Sequence, residues 1–567
     1  MRAKISRGAP AATAAATAQA AGGVAASDGR FVLGIILAVL VFTSLPYAYA
    51  YLSSPPDRQF TGILLDVPDH AQYFSWMREL GQSNLAANQL TPEVNRPAFF
   101  NLLWWFLGRF GVWAGWGFAP VYHLLRVAAA SAFLWTAYRI CSWFFPDRPR
   151  RRLGFLIVTF TSGFGWVLVV LKYTLANGVL LRPMDLFTAE ANTFLGVMGY
   201  PHFVAAAVYV LVFDLLLRGE AKSSLRYAVA AGVLALFLGW QHAYDLASVY
   251  AVLLAYLTLR TIRDRRVPRY LVASSLVIGG LSVWPALYSV WLTQADPVWK
   301  AVLLQFANAG VFSPAPLDLV VLLGPAFLLA LFALIRSKPW NLRQQTNNNV
   351  FLAGWFLSYF VLIYLPVDFQ VHLLNGWQMP IGLLATTAVY RDIIPWVSRK
   401  LKEPGETASR QTRAAVAAIL LAAILPTNIY LLAWRFYDLS RYDYPFYVST
   451  DDARAFAWLD THARSEDVVL SSLTIGQFLP AWTGTKAFLA HWAETLDFFG
   501  KVDAVRRFYA DDSPDAERQA LLERFSVDYV YHGQPERVLG DFDPARAHYL
   551  ALVFESPEVR VYSVRLP

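Results

Sequence analysis

Long apolar stretches separated by short charged segments set the pattern of this chain. Runs near the roughly 20 residues that cross a bilayer as a helix begin at Phe31, Pro120, Leu153, His202, Tyr227, Leu246, Tyr270, Leu317, Val350, Met379 and Ala414. They predict eleven transmembrane helices. After Asp438 the pattern changes to short alternating and helical segments, as in a water-soluble domain.

The segments between the runs orient them. Segments 147–152, 218–226, 260–269, 336–343 and 391–413 are rich in Lys and Arg, as is the N-terminal segment with Arg2, Lys4, Arg7 and Arg30. They alternate along the eleven runs and so fall on one side, which the positive-inside rule makes the cytoplasm. The odd number of spans sends everything after Asp438 to the extracytoplasmic face of the plasma (inner) membrane. Three regions follow: an Ala-rich disordered cytoplasmic tail over 1–30, a transmembrane domain over 31–438 whose first outer loop is long (53–118), and an outer α/β domain over 439–567. The first run carries a cleavage-like Ala48-Tyr49-Ala50, yet its length of about 22 apolar residues favours a retained span over a signal peptide.

Composition agrees. With 56% hydrophobic and 16% charged residues, the chain is too apolar for an ordinary soluble protein. The cytoplasmic loops account for the net charge of +8, so no nucleic-acid partner is needed. A single cysteine, Cys141, sits inside a span and forms no intramolecular disulfide or Cys-based metal site.

In the outer domain, DARAFAWLDTHA reads as a helix with an Asp cap signal, and ETLDFFGKVDAVRRFYA and PDAERQALLERF as two more. DVVLSS, KAFLAHW, VDYVYHG, LALVF and VRVYSVR read as strands. No GxGxxG, P-loop, HExxH or GxSxG occurs there.

Candidate chemistry gathers on the outer side. TGILLDVPDHAQYFSWMREL places Asp66, Asp69 and His70 just after the first span. AQYFSWMREL and the Trp-rich NLLWWFLGRFGVWAGW suit the interfacial plane; counting the latter as a span would invert every later loop. YPHF, GWQHAYDL and VDFQVHLLNGWQ put His202, His242 with Asp245, and His372 at outer helix ends or turns. Arg126 lies about two turns into the second span, where an ionisable group is costly and faces a cavity or a partner. Its bland reading is a structural pair to a neighbouring helix.

A first span, an acidic cluster opening a long outer loop, membrane-hugging helices, about eleven spans and a C-terminal outer α/β domain together resemble the GT-C superfamily of polyprenyl-phosphate-sugar-dependent glycosyltransferases, which includes the protein mannosyltransferases and aminoarabinose transferases. The residues that carry the resemblance are Asp66 and Asp69 in GILLDVPDHAQY, with Tyr73 following. It implies a polyprenyl-phosphate-linked sugar donor held in membrane lipid, inverting transfer on the extracytoplasmic face to an acceptor glycan, lipid or protein, and an Asp of the first outer loop as general base.

Pro68 between the two Asp residues argues for a helix start, with Asp69 the better N-cap and Asp66 then the expected base. The departing phosphate calls for Arg126, Lys172, His202, His242 and His372, and Glu190 for acceptor hydroxyls. Asp66, Asp69, His70 and Glu190 leave room for a divalent metal, but no spacing is diagnostic, and no metal or cofactor is assigned. Two other classes stay open. A transporter or flippase would carry polar groups near midplane and inverted repeats; a membrane scaffold would use the outer domain for binding and leave Asp66 dispensable.

Overall fold

The computed structural model describes residues 26–179, 184–305, 312–403 and 408–566. Most of the expected N-terminal tail, residues 1–25, lies outside them. The chain divides into two compact units: Met1–Thr43, Leu125–Ala286 and Phe312–Ala433 form one, and Ser44–Leu124, Leu287–Val311 and Trp434–Pro567 the other.

The first unit is a bundle of apolar helices. Each of the eleven apolar runs falls in helix, but not each as one long rod. Among the described residues, six helices are long and apolar enough to cross a membrane: Asp28–Ser53, Phe118–Phe144, Pro201–Lys222, Tyr244–Asp264, Arg269–Ala295 and Asp318–Arg336. Two bent pairs, Arg148–Phe160 with Gly165–Thr174 and Arg410–Ile424 with Pro426–Leu439, raise the number to eight if each counts as one broken span. The other three runs lie in shorter helices, Arg226–Gln241, Asn347–Leu362 and Gln378–Ala388. The protein is a multi-pass membrane protein in which breaks divide part of what hydropathy reads as continuous.

Packing at one break is close. Gly324 has φ 64°, and a Cβ there would meet the Ser162 carbonyl oxygen at 2.3 Å, so only glycine fits between these two segments. Charges inside the bundle are paired, as burial demands. Asp214 is fully buried and accepts from Arg139 at 2.6 Å, Arg218 at 2.8 Å and the Trp143 indole at 2.9 Å. Along the first helix, Leu33, Leu37 and Val41 stay exposed at fourfold spacing, a stripe suited to lipid.

The second unit joins the segment after the first long helix to the C-terminal segment. Strands β1 (Arg58–Phe60) and β2 (Tyr447–Ser449) pair antiparallel. β3 (Val468–Leu470), β4 (Lys486–Ala487), β5 (Val527–His532), β6 (Leu550–Glu555) and β7 (Arg560–Val564) form a five-stranded sheet in the order β4-β3-β5-β7-β6. β3 runs parallel to β4 and β5, whereas β7 is antiparallel to β5 and β6. Leu470, Phe488, Phe508, Tyr509, Leu522, Val530 and Tyr562 bury one core between this sheet and the helices Phe498–Tyr509 and Asp515–Arg524.

Two local readings change. KAFLAHW is strand only at Lys486–Ala487, and beyond it the chain leaves the sheet edge as an irregular loop. The helix Thr450–His462 takes Ser449 rather than an Asp as N-cap, with Asp452 reaching back in a capping box, because the serine hydroxyl accepts from the third backbone N–H. The helix Leu102–Ala114 has 13 residues and is not among the candidate spans; Trp113 is 82% exposed on it.

Candidate functional site

The acidic cluster opens the helix Val67–Gln82. Pro68 sits in its first turn, where a missing N–H costs nothing, and this starts the helix earlier than expected. Asp66, not Asp69, occupies the N-cap position; it has φ 46° and ψ 58°, and its side chain makes no capping bond. The left-handed region is tolerated by few residues besides glycine, Asn and Asp. The corner is braced by His70, whose Nδ1 lies 2.7 Å from the Asp66 carbonyl oxygen, and by Arg435, which donates to the Leu64 carbonyl at 2.9 Å. His70 is fully buried and packs edge-on to Tyr122; the Asp66 side chain is exposed.

Asp69, three residues on, is half-buried, and its Oδ1 lies 2.7 Å from His491 Nε2. His491 belongs to the loop after β4. That loop is shaped by Thr495, whose hydroxyl accepts from the backbone N–H of Ala490 (2.9 Å) and His491 (3.0 Å) and donates to the Leu90 carbonyl (2.6 Å). The Ala493 N–H points at His491 Nδ1, 3.2 Å away.

Next in the loop stands Glu494, 2% exposed. Its Oε1 accepts from the Gln72 amide at 2.7 Å, and its backbone carbonyl accepts from Asn88. Burial, aided by the Asp69 charge, pushes its carboxyl up to about 8, so near neutrality it holds its proton beside an Asp69 it cannot join in ionising. The sequence assigned no role to His491 or Glu494. The only signal was a His and a Glu three apart in AHWAET, an otherwise apolar stretch.

Four expected residues of the first unit come together. Glu190 Oε1 lies 2.5 Å from His372 Nδ1. His242 Nδ1 lies 3.0 Å from Asp245 Oδ2, which also accepts from Asn375 at 3.0 Å. The Phe203 ring links the histidines, at 4.2 Å from His202, 5.4 Å from His242 and 5.6 Å from His372, between ring centroids. Phe203, Tyr244 and Asn375 carry no signal that singles them out in the sequence. Arg126 is buried and donates to Thr43 of the first helix at 2.9 Å; Lys172 lies over the Tyr173 ring at 4.8 Å. Among the described residues, no group of three or more His, Cys, Asp or Glu is arranged to hold a metal ion.

The second unit also contains a cleft of about 870 Å³, lined by Arg58, Arg441, Tyr444, Thr474, Arg506 and Gln534 among others.

A multi-pass helical bundle with a long segment after its first helix and a C-terminal sheet defines the fold. No protein-family model matches the chain, and no curated protein does. Among solved structures it is similar to the Archaeoglobus fulgidus oligosaccharyltransferase tethered with an acceptor peptide containing the NVT sequon, at TM-score 0.52 and 13% identity over 94% of this chain and 74% of that one. It is likewise similar to AglB of the same organism in complex with an inhibitory peptide and a dolichol-phosphate, at TM-score 0.52 and 13% identity over 94% and 75%. ArnT from Cupriavidus metallidurans bound to undecaprenyl phosphate gives TM-score 0.47 and 12% identity over 93% and 97%.

Proposed function

We propose that the chain is a membrane glycosyltransferase that moves a hexosyl or pentosyl group from a polyprenyl-phosphate donor to an acceptor on the extracytoplasmic face. The observation that carries this reading is the fold shared with the archaeal oligosaccharyltransferase over 94% of the chain, with an Asp pair opening the first outer loop. The dolichol-phosphate in the AglB structure is the kind of ligand the donor side of this reading requires.

The chemistry needs one base and a site for the leaving phosphate. The acceptor's O–H gives its proton to an Asp66 or Asp69 carboxylate while its oxygen bonds to the sugar C1. The bond from C1 to the phosphate oxygen breaks, and its electron pair leaves with the lipid phosphate. A phosphate is already a good leaving group, so no second acid is required. Arg126, Lys172, His202, His242 and His372 are assigned to the phosphate, where cationic or N–H donors stabilise the developing charge, and Glu190 to orienting His372 or an acceptor hydroxyl. The cleft of the second unit supports acceptor recognition there.

The test is transfer of label from a polyprenyl-phosphate sugar by purified protein. Asp69→Asn and Asp66→Asn are each expected to fold as wild type does in detergent, and the loss of the base is expected to lower kcat about 100-fold to 10,000-fold. Full transfer by the double variant would sink the mechanism. Substrate crossing sealed vesicles with its glycosidic bond intact would favour the transporter reading instead.

A further inference from the structure

We propose that His491 is a positioning residue for a catalytic Asp69, which makes the C-terminal segment a working part of the transfer site. The inference rests on the transferase reading above and adds to it the residue that orients the base.

The geometry fixes the state of the imidazole. His491 is 2% exposed. Its Nδ1 faces the Ala493 N–H at 3.2 Å, and its Nε2 faces the Asp69 carboxylate at 2.7 Å. A nitrogen that receives a donor carries no proton of its own, whereas a nitrogen that faces a carboxylate needs one. The ring is therefore neutral with its proton on Nε2, and it donates to Asp69.

Two consequences separate this role from a structural one. A donated N–H favours the ionised carboxylate, the form a base must have. The ring also cannot accept the proton that Asp69 collects, because its remaining lone pair is engaged. His491 thus orients Asp69 without joining the proton transfer. The loop that carries it is tied down by Thr495, through the consecutive N–H groups of Ala490 and His491 and through the Leu90 carbonyl. With a buried imidazole set against its carboxylate, Asp69 is the residue to which the structure assigns the base.

The experiment pairs kinetics with nitrogen NMR of the full chain labelled at histidine. His491→Ala is expected to lower kcat about tenfold to 100-fold, the loss of a hydrogen bond to a charged group, while the donor KM moves less than about threefold. His491→Gln, whose amide nitrogen reaches where Nε2 stands, recovers part of the loss. The NMR spectrum of the wild type is expected to show a neutral ring protonated at Nε2, with the Nε2–H signal displaced in Asp69→Asn. An active wild type whose kcat is indifferent to His491→Ala overturns the inference, as does a ring protonated at Nδ1. A wild type that transfers nothing yet shows the expected tautomer and its response to Asp69→Asn sinks the transferase reading and the catalytic role with it, and leaves the pairing itself established.

Discussion

At the scale of single residues, the second unit holds two carboxyl groups in opposite states. Glu494 is buried and kept neutral; Asp69, half-exposed, receives an imidazole N–H. Environments that push neighbouring acids apart are how one site assigns them different roles. The raised value also has a sign for stability. The unfolded chain releases the Glu494 proton near 4.5, and the folded protein keeps it until about 8. The native state thus binds more protons across that window, and its stability falls as pH rises through it. Glu494→Gln keeps the neutral shape and removes the titration. Its melting temperature, measured by a thermal shift in detergent, is expected to exceed that of wild type by a margin that grows from about pH 5 to about pH 8. A margin constant across that range would place the Glu494 carboxyl in water.

At the scale of elements, the site depends on a loop and a strap rather than on rigid secondary structure. The 83–101 strap is fastened to β4 by Gln89 and to the loop after it by Leu90 and Thr91, and Lys501 adds a partly buried ion pair to Glu93 at 2.6 Å. The helix Val67–Gln82 is tied at its far end by Arg78, which pairs with Asp460 and donates to the Trp482 carbonyl. Thr495→Val keeps the volume of the side chain but leaves two buried N–H groups and one carbonyl without their hydroxyl. Each unsatisfied group costs about 1–3 kcal/mol. The variant is expected to melt several degrees lower and to be cut in the strap at protease concentrations that spare wild type; unchanged proteolysis would show that the strap is held by other means.

Hydropathy alone marks where helices lie, because apolar side chains must face lipid or protein, and all eleven runs are helical. It does not mark where they break, since Gly163 and Gly324 are chosen by a contact between distant segments. The acidic cluster was legible as a cluster. Its capping was not, because the choice between Asp66 and Asp69 turned on one turn of helix set by Pro68. His491 was invisible as a site residue for a simple reason: nothing local in AHWAET announces a partner 422 residues away.

At the scale of the whole chain, the units are not consecutive stretches. The segment after Asp438 shares its unit with 44–124 and 287–311, and β2 finds its partner in β1, near the first span. Residues 440–567 expressed alone would leave β2 unpaired and the β4 loop without Gln72, Asn88 and the strap. Such a fragment is expected to show poor amide dispersion and no cooperative melt, whereas adding back the full chain context restores both; a sharply melting fragment would establish an independent domain. The 422-residue separation of Asp69 and His491 also has a meaning in time. The ribosome finishes the segment that carries Asp69 well before the loop that carries His491, so for that stretch of synthesis the carboxylate lacks its imidazole.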